Sequence, residues 1–259
     1  MWESIDRTQS ATGTGIGIGT DLAEAFRVSG FPWHPDQAAD RARVALFDTR
    51  DWRPWAVAAR LLLDDRETAC VQRRHAEADR HALALAYALH RLVLAELLGV
   101  EPAAVPLDRD ANGKPVVTGT GLHTSLSHSG PYVAVAASAA GPIGIDIEPS
   151  ARSSVMAEIA AQVCHPREAF AFAAVAPSAR ARGLLALWVR KEALLKAAGI
   201  GLAREMSSFV AAVPAEAATQ VQLLDAGEDC VAAFAGPAGI PADVAWLRPR
   251  AMEAAACAA

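Results

Sequence analysis

The apolar pattern of this chain changes period repeatedly, and that constrains its fold more than any single residue does. Val44-Ala-Leu-Phe47 and Tyr132-Val-Ala-Val-Ala136 read as strands, and Ile143 to Glu148 begins another. Between them, from Arg66 to Gly99, Leu85, Leu89, Leu92, Val93 and Leu97 recur at helical spacing, so one face is buried and Gly99 is a natural stop. Two further helical segments are predicted near Ser153–Val175 and Ala179–Ala198. Short strands are predicted near Phe209–Val213, Val221–Leu224, Cys230–Phe234 and Val244–Leu247. Gly141-Pro142 punctuates the chain near its midpoint. Strands around helices in each half predict an α+β fold of two similar lobes, residues 41–140 and 141–259, with residues 1–40 as a leader attached to the first.

The leader holds the run Gly13-Thr-Gly-Ile-Gly-Ile-Gly19. It fails the G-x-G-x-x-G spacing of a nucleotide loop and follows no strand, so a flexible segment is the better reading. At 259 residues, 53% hydrophobic and 20% charged, the chain can bury a sizeable core and is not of the disordered class. A formal charge of −5 argues against a general nucleic-acid binder. Cys70, Cys164, Cys230 and Cys257 are scattered without C-x-x-C spacing, which points away from zinc and disulfides and toward a reducing cytoplasm. The longest apolar region, Leu83 to Val100, is broken by His90, Arg91 and Glu96, so no membrane span is expected there. No signal peptide is evident at the N-terminus.

The chain has only three lysines, Lys114, Lys191 and Lys196, against 21 arginines. Where lysine persists against that bias, a compact, rotatable ammonium is the feature a planar guanidinium cannot supply. Two of the three flank Glu192 in Trp188-Val-Arg-Lys-Glu-Ala-Leu-Leu-Lys196. On a helix, Trp188, Glu192 and Lys196 form one stripe at i, i+4 and i+8, with Lys191 about 100° round from Glu192. The alternative is an ordinary Glu–Lys pair on a solvated face.

In Gly144-Ile-Asp-Ile-Glu148, residues two apart share a face, so Asp146 and Glu148 project together while the isoleucines enter the core. Paired carboxylates suit a hard cation such as Mg²⁺ that also grips phosphates, or they form the polar face of a half-buried strand. Ser127 and His128 are neighbours on an extended segment and point to opposite faces, and no G-x-S-x-G elbow is present, so a serine hydrolase is not expected. Arg66, Arg73, Arg74 and Arg80 are either a solvated face or phosphate contacts. Asn112-Gly-Lys-Pro115 is a tight turn.

Taken together, Asn-Gly-Lys114-Pro, Ser-Leu-Ser-His128-Ser, Ile-Gly-Ile-Asp146-Ile-Glu148 and Trp188-x-x-Lys-Glu192-Ala-x-x-Lys196 resemble the Sfp-type 4′-phosphopantetheinyl transferases. The resemblance runs from about Leu61 to Phe209. It implies a pseudo-twofold monomeric enzyme with coenzyme A in the cleft between its lobes. It implies Mg²⁺, with Mn²⁺ as an alternative, on Asp146, Glu148 and Glu192. Lys114, Ser127 and His128 match coenzyme A contacts, and Lys191 and Lys196 match the lysines around its phosphates.

The chain departs from the family pattern at Thr124-Ser125, where Phe-Asn is frequent. It also places Asp65 and Thr68 where basic residues usually hold the 3′-phosphate, so Arg66, Arg73 or Arg80 must substitute. The activity implied is transfer of phosphopantetheine to a serine of an acyl or peptidyl carrier protein, releasing 3′,5′-ADP, with Glu192 as the base and Lys196 serving the leaving phosphate. Alternatives are a metal-dependent nucleotide-diphosphate phosphohydrolase and a coenzyme A-binding protein without catalysis.

Overall fold

A computed structural model describes residues 21–33, 40–201, 204–212, 214 and 216–250. The glycine run at 13–19 lies outside the described residues. Within the region read as a leader, α1 (Leu22–Arg27) is capped by Asp21 and buries Leu22 and Phe26 against the core.

Two sheets and two 22-residue helices make up the framework. The first sheet has the order β4 (His123–Ser129), β5 (Tyr132–Ser138), β1 (Ala42–Asp48) and β9 (Ala242–Trp246). The second has the order β6 (Gly144–Pro149), β8 (Cys230–Pro237) and β7 (Thr219–Leu224). A small hairpin joins β2 (Leu107–Arg109) to β3 (Pro115–Val117).

Helix α4 (Glu77–Leu98) covers one face of the first sheet, where Leu85 and Leu89 meet Phe47, Val133 and Val135. The opposite face, with Val44, Leu46, Ala134 and Ala136, packs on Ile143 and on Ile145, Ile147 and Phe234 of the second sheet. Helix α7 (Pro177–Ala198) then covers the outer face of that sheet, with Val189, Ala193 and Ala197 on Ala233 and Ala235. The layers therefore run helix, sheet, sheet, helix, each strand turning alternate residues to opposite neighbours. Helix α4 is long and apolar enough to cross a membrane by length and composition, but 67% of that window is buried inside the molecule.

Four readings of the sequence change here. The long helix from Arg66 to Gly99 is two helices, α3 (Asp65–Gln72) and α4, with α2 (Ala56–Ala59) preceding them. The gap at 73–76 is held by Arg80, whose guanidinium donates to the carbonyls of Arg74 and His75 at 3.0 and 2.8 Å. The segment read as one helix near 153–175 is a 3₁₀ turn at 150–155, then α5 (Ala160–Val163) and α6 (Pro166–Ala173). No strand forms over 209–212; Val213 lies outside the described residues. Finally, β9 comes from the C-terminal half but pairs in parallel with β1, and Arg41 and Arg43 both engage its Asp243. The two sheets are thus not a simple division of the chain at residue 140.

Candidate active site

Strand β6 and helix α7 bring most of the candidate residues together. Ile145 and Ile147 are fully buried between the sheets, so Asp146 and Glu148 turn toward α7. The helix lies unusually close because β6 begins with Gly144. A Cβ built there would stand 2.0 Å from the Ala193 carbonyl oxygen and 2.4 Å from the Ala197 nitrogen. On α7, Trp188, Glu192 and Lys196 share the stripe that faces the acids, and all three line one cavity with Asp146 and Glu148. Lys196 Nζ lies 2.7 Å from Asp146 Oδ1 and 2.9 Å from Ser127 Oγ.

The free edge of β4 adjoins β6 through serines rather than a backbone ladder. Ser125 Oγ accepts the Ile145 N–H at 3.1 Å, Ser127 donates to Asp146 Oδ1 at 2.7 Å, and Ser129 donates to Glu148. Alternation on β4 aims these three hydroxyls one way and Thr124, Leu126 and His128 the other. Ser127 and His128 accordingly do not form a nucleophile–base pair.

The cavity encloses about 470 Å³. Arg109, Asn112, Gly113 and Lys114 of the β2–β3 hairpin line one end, and Arg152 with Trp188 the other. Arg152 reaches Glu148 Oε1 at 3.1 Å while its guanidinium lies 5.1 Å from the Trp188 ring centroid. Such a volume, polar along its floor and aromatic at one end, suits an elongated anionic ligand.

Charge is concentrated along that floor. Burial raises the Glu148 carboxyl above the ordinary range, with the Asp146 charge adding to it against Ser129, Arg152 and Lys196. Glu192 is raised by burial first and then by Asp146 and Glu148. His128 is exposed at the cavity rim, yet surrounding protein lowers its pKa, helped by the charges of Lys196 and Arg74. Burial likewise lowers Lys114.

The donor set fits a hard divalent cation: Asp146, Glu148 and Glu192 offer only carboxylate oxygens, and Asp146 Oδ2 is buried with no hydrogen-bond partner. The oxygens do not yet converge, however. Among the described residues there is no group of three acids, histidines or cysteines already arranged as a metal cage. Instead, Lys196 and Ser127 engage Asp146 Oδ1, and Arg152 and Ser129 engage Glu148.

Several residues stand elsewhere than the sequence suggested. Lys191 does not reach the cavity. It is wholly buried, and its ammonium meets Glu168 Oε2 at 2.6 Å and the carbonyls of Val163, Met206 and Phe209 at 2.7–2.8 Å. Its 100° offset from Glu192 points it into the core behind the site. Arg66 pairs with Asp108 at 2.9 Å, Arg73 lies on Cys70 Sγ at 2.9 Å, and Arg80 braces the α3–α4 break; none of the three lines the cavity.

The arginine whose charge acts on His128 is Arg74, on that break. A continuous helix would not have distinguished it from its neighbours. Arg109 and Arg152 also line the cavity without having been singled out. For Arg152 the available signal was its place four residues beyond Glu148; Arg109 carried none beyond its nearness to the Asn-Gly turn.

Two family models tile the chain. One for the N-terminal part of 4′-phosphopantetheinyl transferases matches residues 50–140, and one for the 4′-phosphopantetheinyl transferase superfamily matches residues 142–240. This chain belongs to the 4′-phosphopantetheinyl transferase superfamily. A 4′-phosphopantetheinyl transferase of Bacillus subtilis is 29% identical over 167 residues, 64% of this chain and 73% of that protein. The transferase HetI of Nostoc sp. is 33% identical over 132 residues, 49% of this chain and 56% of its own length. A Bacillus pumilus transferase is 29% identical over 165 residues, 59% of this chain and 65% of that protein.

The chain's departure from the 4′-phosphopantetheinyl transferase pattern at Thr124-Ser125 has a local rationale. Thr124 Oγ1 donates to the Ala136 carbonyl at 3.0 Å and so accepts from His90 Nε2–H at 2.8 Å, tying β4 to α4. Ser125 accepts the Ile145 N–H at the edge of β6, so both side chains of this stretch of β4 are satisfied where they stand.

Proposed function

We propose that this chain transfers the 4′-phosphopantetheine group of coenzyme A to a serine of an acyl or peptidyl carrier protein, releasing 3′,5′-ADP. The observation that carries this reading is the convergence of Asp146, Glu148, Glu192 and Lys196 on one cavity whose other end is the Asn112–Lys114 hairpin. Coenzyme A would lie along the cleft with its pyrophosphate beside Lys196 and its nucleotide toward the hairpin, His128 and Arg74. Asp146, Glu148 and Glu192 would hold Mg²⁺ or Mn²⁺. A divalent cation bound there supplies Lewis-acid polarisation of the pyrophosphate and neutralises its charge.

The protein's own groups complete the step. The carrier serine oxygen forms a bond to the phosphorus of the phosphopantetheine as the phosphorus–oxygen bond to the nucleotide breaks. Glu192, which lines the cavity beside Lys196, takes the serine proton. Lys196 meets the negative charge that gathers on the departing 3′,5′-ADP, and its ammonium can release a proton where a guanidinium cannot. The protein would act as a monomer in the cytoplasm, where Cys70, Cys164 and Cys230 remain thiols.

The test is incubation with coenzyme A, Mg²⁺ and a panel of apo carrier proteins, read by intact mass. Gain of one phosphopantetheine on a carrier, abolished by chelator, supports transfer. Release of nucleotide without a carrier supports hydrolysis, and binding of coenzyme A with no chemistry supports a passive binder; either result overturns the proposal.

A further inference from the structure

The far end of α7 is completed by side chains that come from the other half of the fold. Gly199 takes the left-handed conformation at φ 69°, its N–H reaching the Lys196 carbonyl at 3.2 Å, while the Ile200 N–H reaches the Leu195 carbonyl at 3.3 Å. That double closure terminates the helix locally, but it leaves the later carbonyls without intrahelical partners. Lys114 Nζ lies 3.2 Å from the Ala197 carbonyl oxygen, and Asn112 Nδ2 donates to the Gly199 carbonyl at 2.7 Å. Lys114 also reaches the Ile143 carbonyl at 3.1 Å, directly before β6. One short turn therefore grips both elements that carry the acids and Lys196.

The turn is built to be rigid. Asp110 Oδ1 accepts the N–H groups of Asn112 at 2.8 Å and Lys114 at 2.9 Å, and the Asp110 carbonyl accepts the Gly113 N–H at 3.0 Å. Gly113 stands at φ 81°, where a side chain would be strained. Arg109 closes the turn onto the Gly113 carbonyl at 2.9 Å. An anchor of this kind adds little to helix termination, which Gly199 already performs. What it adds is a fixed distance between the hairpin and the residue one position before Ala197, which is Lys196.

We propose that Asn112 is a positioning residue: by holding the Gly199 carbonyl it fixes the last turn of α7, and thereby places the Lys196 ammonium on Asp146 and the reacting phosphate. The inference rests on the transfer reading for its catalytic consequence, and on the hydrogen bond alone for its structural one. A lysine that serves the transition state rather than the ground state would lose turnover, not substrate affinity, when its helix end is freed.

The experiment compares wild type, Asn112→Ala, Lys196→Ala and the double variant in carrier loading, together with hydrogen exchange at residues 195–200. Asn112→Ala is expected to lower kcat about tenfold, in keeping with the loss from a small misplacement, with the KM for coenzyme A changed less than about threefold. In the Lys196→Ala background the same change should cost nothing further, because the group it positions is gone. Exchange in the last turn of α7 should accelerate in Asn112→Ala, and Asn112→Asp should behave like it, since a carboxylate cannot donate to the carbonyl.

A KM effect with kcat intact would make Asn112 a ligand contact and overturn the proposal, as would an equal loss in the Lys196→Ala background. If wild type loads no carrier, the transfer reading fails on its own terms, and the positioning claim is then decided by exchange. Unchanged protection over 195–200 would sink it.

Discussion

Gly144→Ala puts a methyl where this structure has no room for one. The added Cβ would sit 2.0 Å from the Ala193 carbonyl oxygen, 2.4 Å from the Ala197 nitrogen and 2.9 Å from Lys196 Cβ. The first of these falls about 1.4 Å short of ordinary van der Waals separation, and two of the three obstacles are helix backbone that cannot rotate away. Helix α7 must therefore lift from β6, or β6 must shift, by an amount on the order of 1 Å. Either movement stretches the 2.7 Å contact between Lys196 and Asp146 beyond hydrogen-bond range. Overpacking of this kind costs about 1–3 kcal/mol, and misplacing catalytic groups by about 1 Å costs about 10²-fold in rate.

The assay is kcat for carrier loading by intact mass, with Tm by differential scanning fluorimetry and far-UV circular dichroism to show that the fold persists. A variant that keeps kcat within about threefold of wild type and Tm within about 2 °C would refute the argument. It would mean that α7 does not depend on this close approach for its position.

Three other outcomes follow from the same geometry. Lys196→Arg keeps the charge but replaces a compact ammonium with a planar fork that cannot release its proton. It should lower kcat by about 10²-fold with little change in Tm, and near-normal turnover would remove Lys196 from the chemistry. Lys191→Met strips one carboxylate and three carbonyls of a buried donor, and should cost about 3–5 kcal/mol in urea unfolding. A loss below about 1 kcal/mol would show that this ammonium is not a structural anchor.

His90 is held neutral, its pKa pushed down to about 3 by burial and then by the charges of Arg109 and Arg91. The unfolded chain takes up this proton below about pH 6.5 and the native state does not, so stability falls as pH drops from there. Between pH 6.5 and 5 wild type should lose about 2 kcal/mol more than His90→Leu; parallel pH profiles would contradict the assignment.

Part of the site was legible because its periodicity is short. Ile145 and Ile147 alternate with Asp146 and Glu148, and a strand with one apolar face must turn both acids the other way. Trp188, Glu192 and Lys196 repeat at helical spacing, which places them on one stripe whatever the helix packs against. The rarity of lysine was a real signal with two different causes. Lys196 faces the acids, whereas Lys191 fills a buried nest of oxygens where a guanidinium would be too large.

The sequence by itself thus determined the α+β composition, the strand that presents two carboxylates and the helix stripe that answers them, because each follows from local backbone geometry. Only the tertiary structure decided what lies between those elements. Ser125 and Ser127 meet β6 across a sheet edge some twenty residues away in sequence, and Asn112 and Lys114 reach α7 across more than eighty. Arg74, whose charge acts on His128, sits on the break between α3 and α4, and β9 returns to pair with β1 across 200 residues. Contacts of that range depend on how layers stack, and no repeat in the chain encodes the stacking.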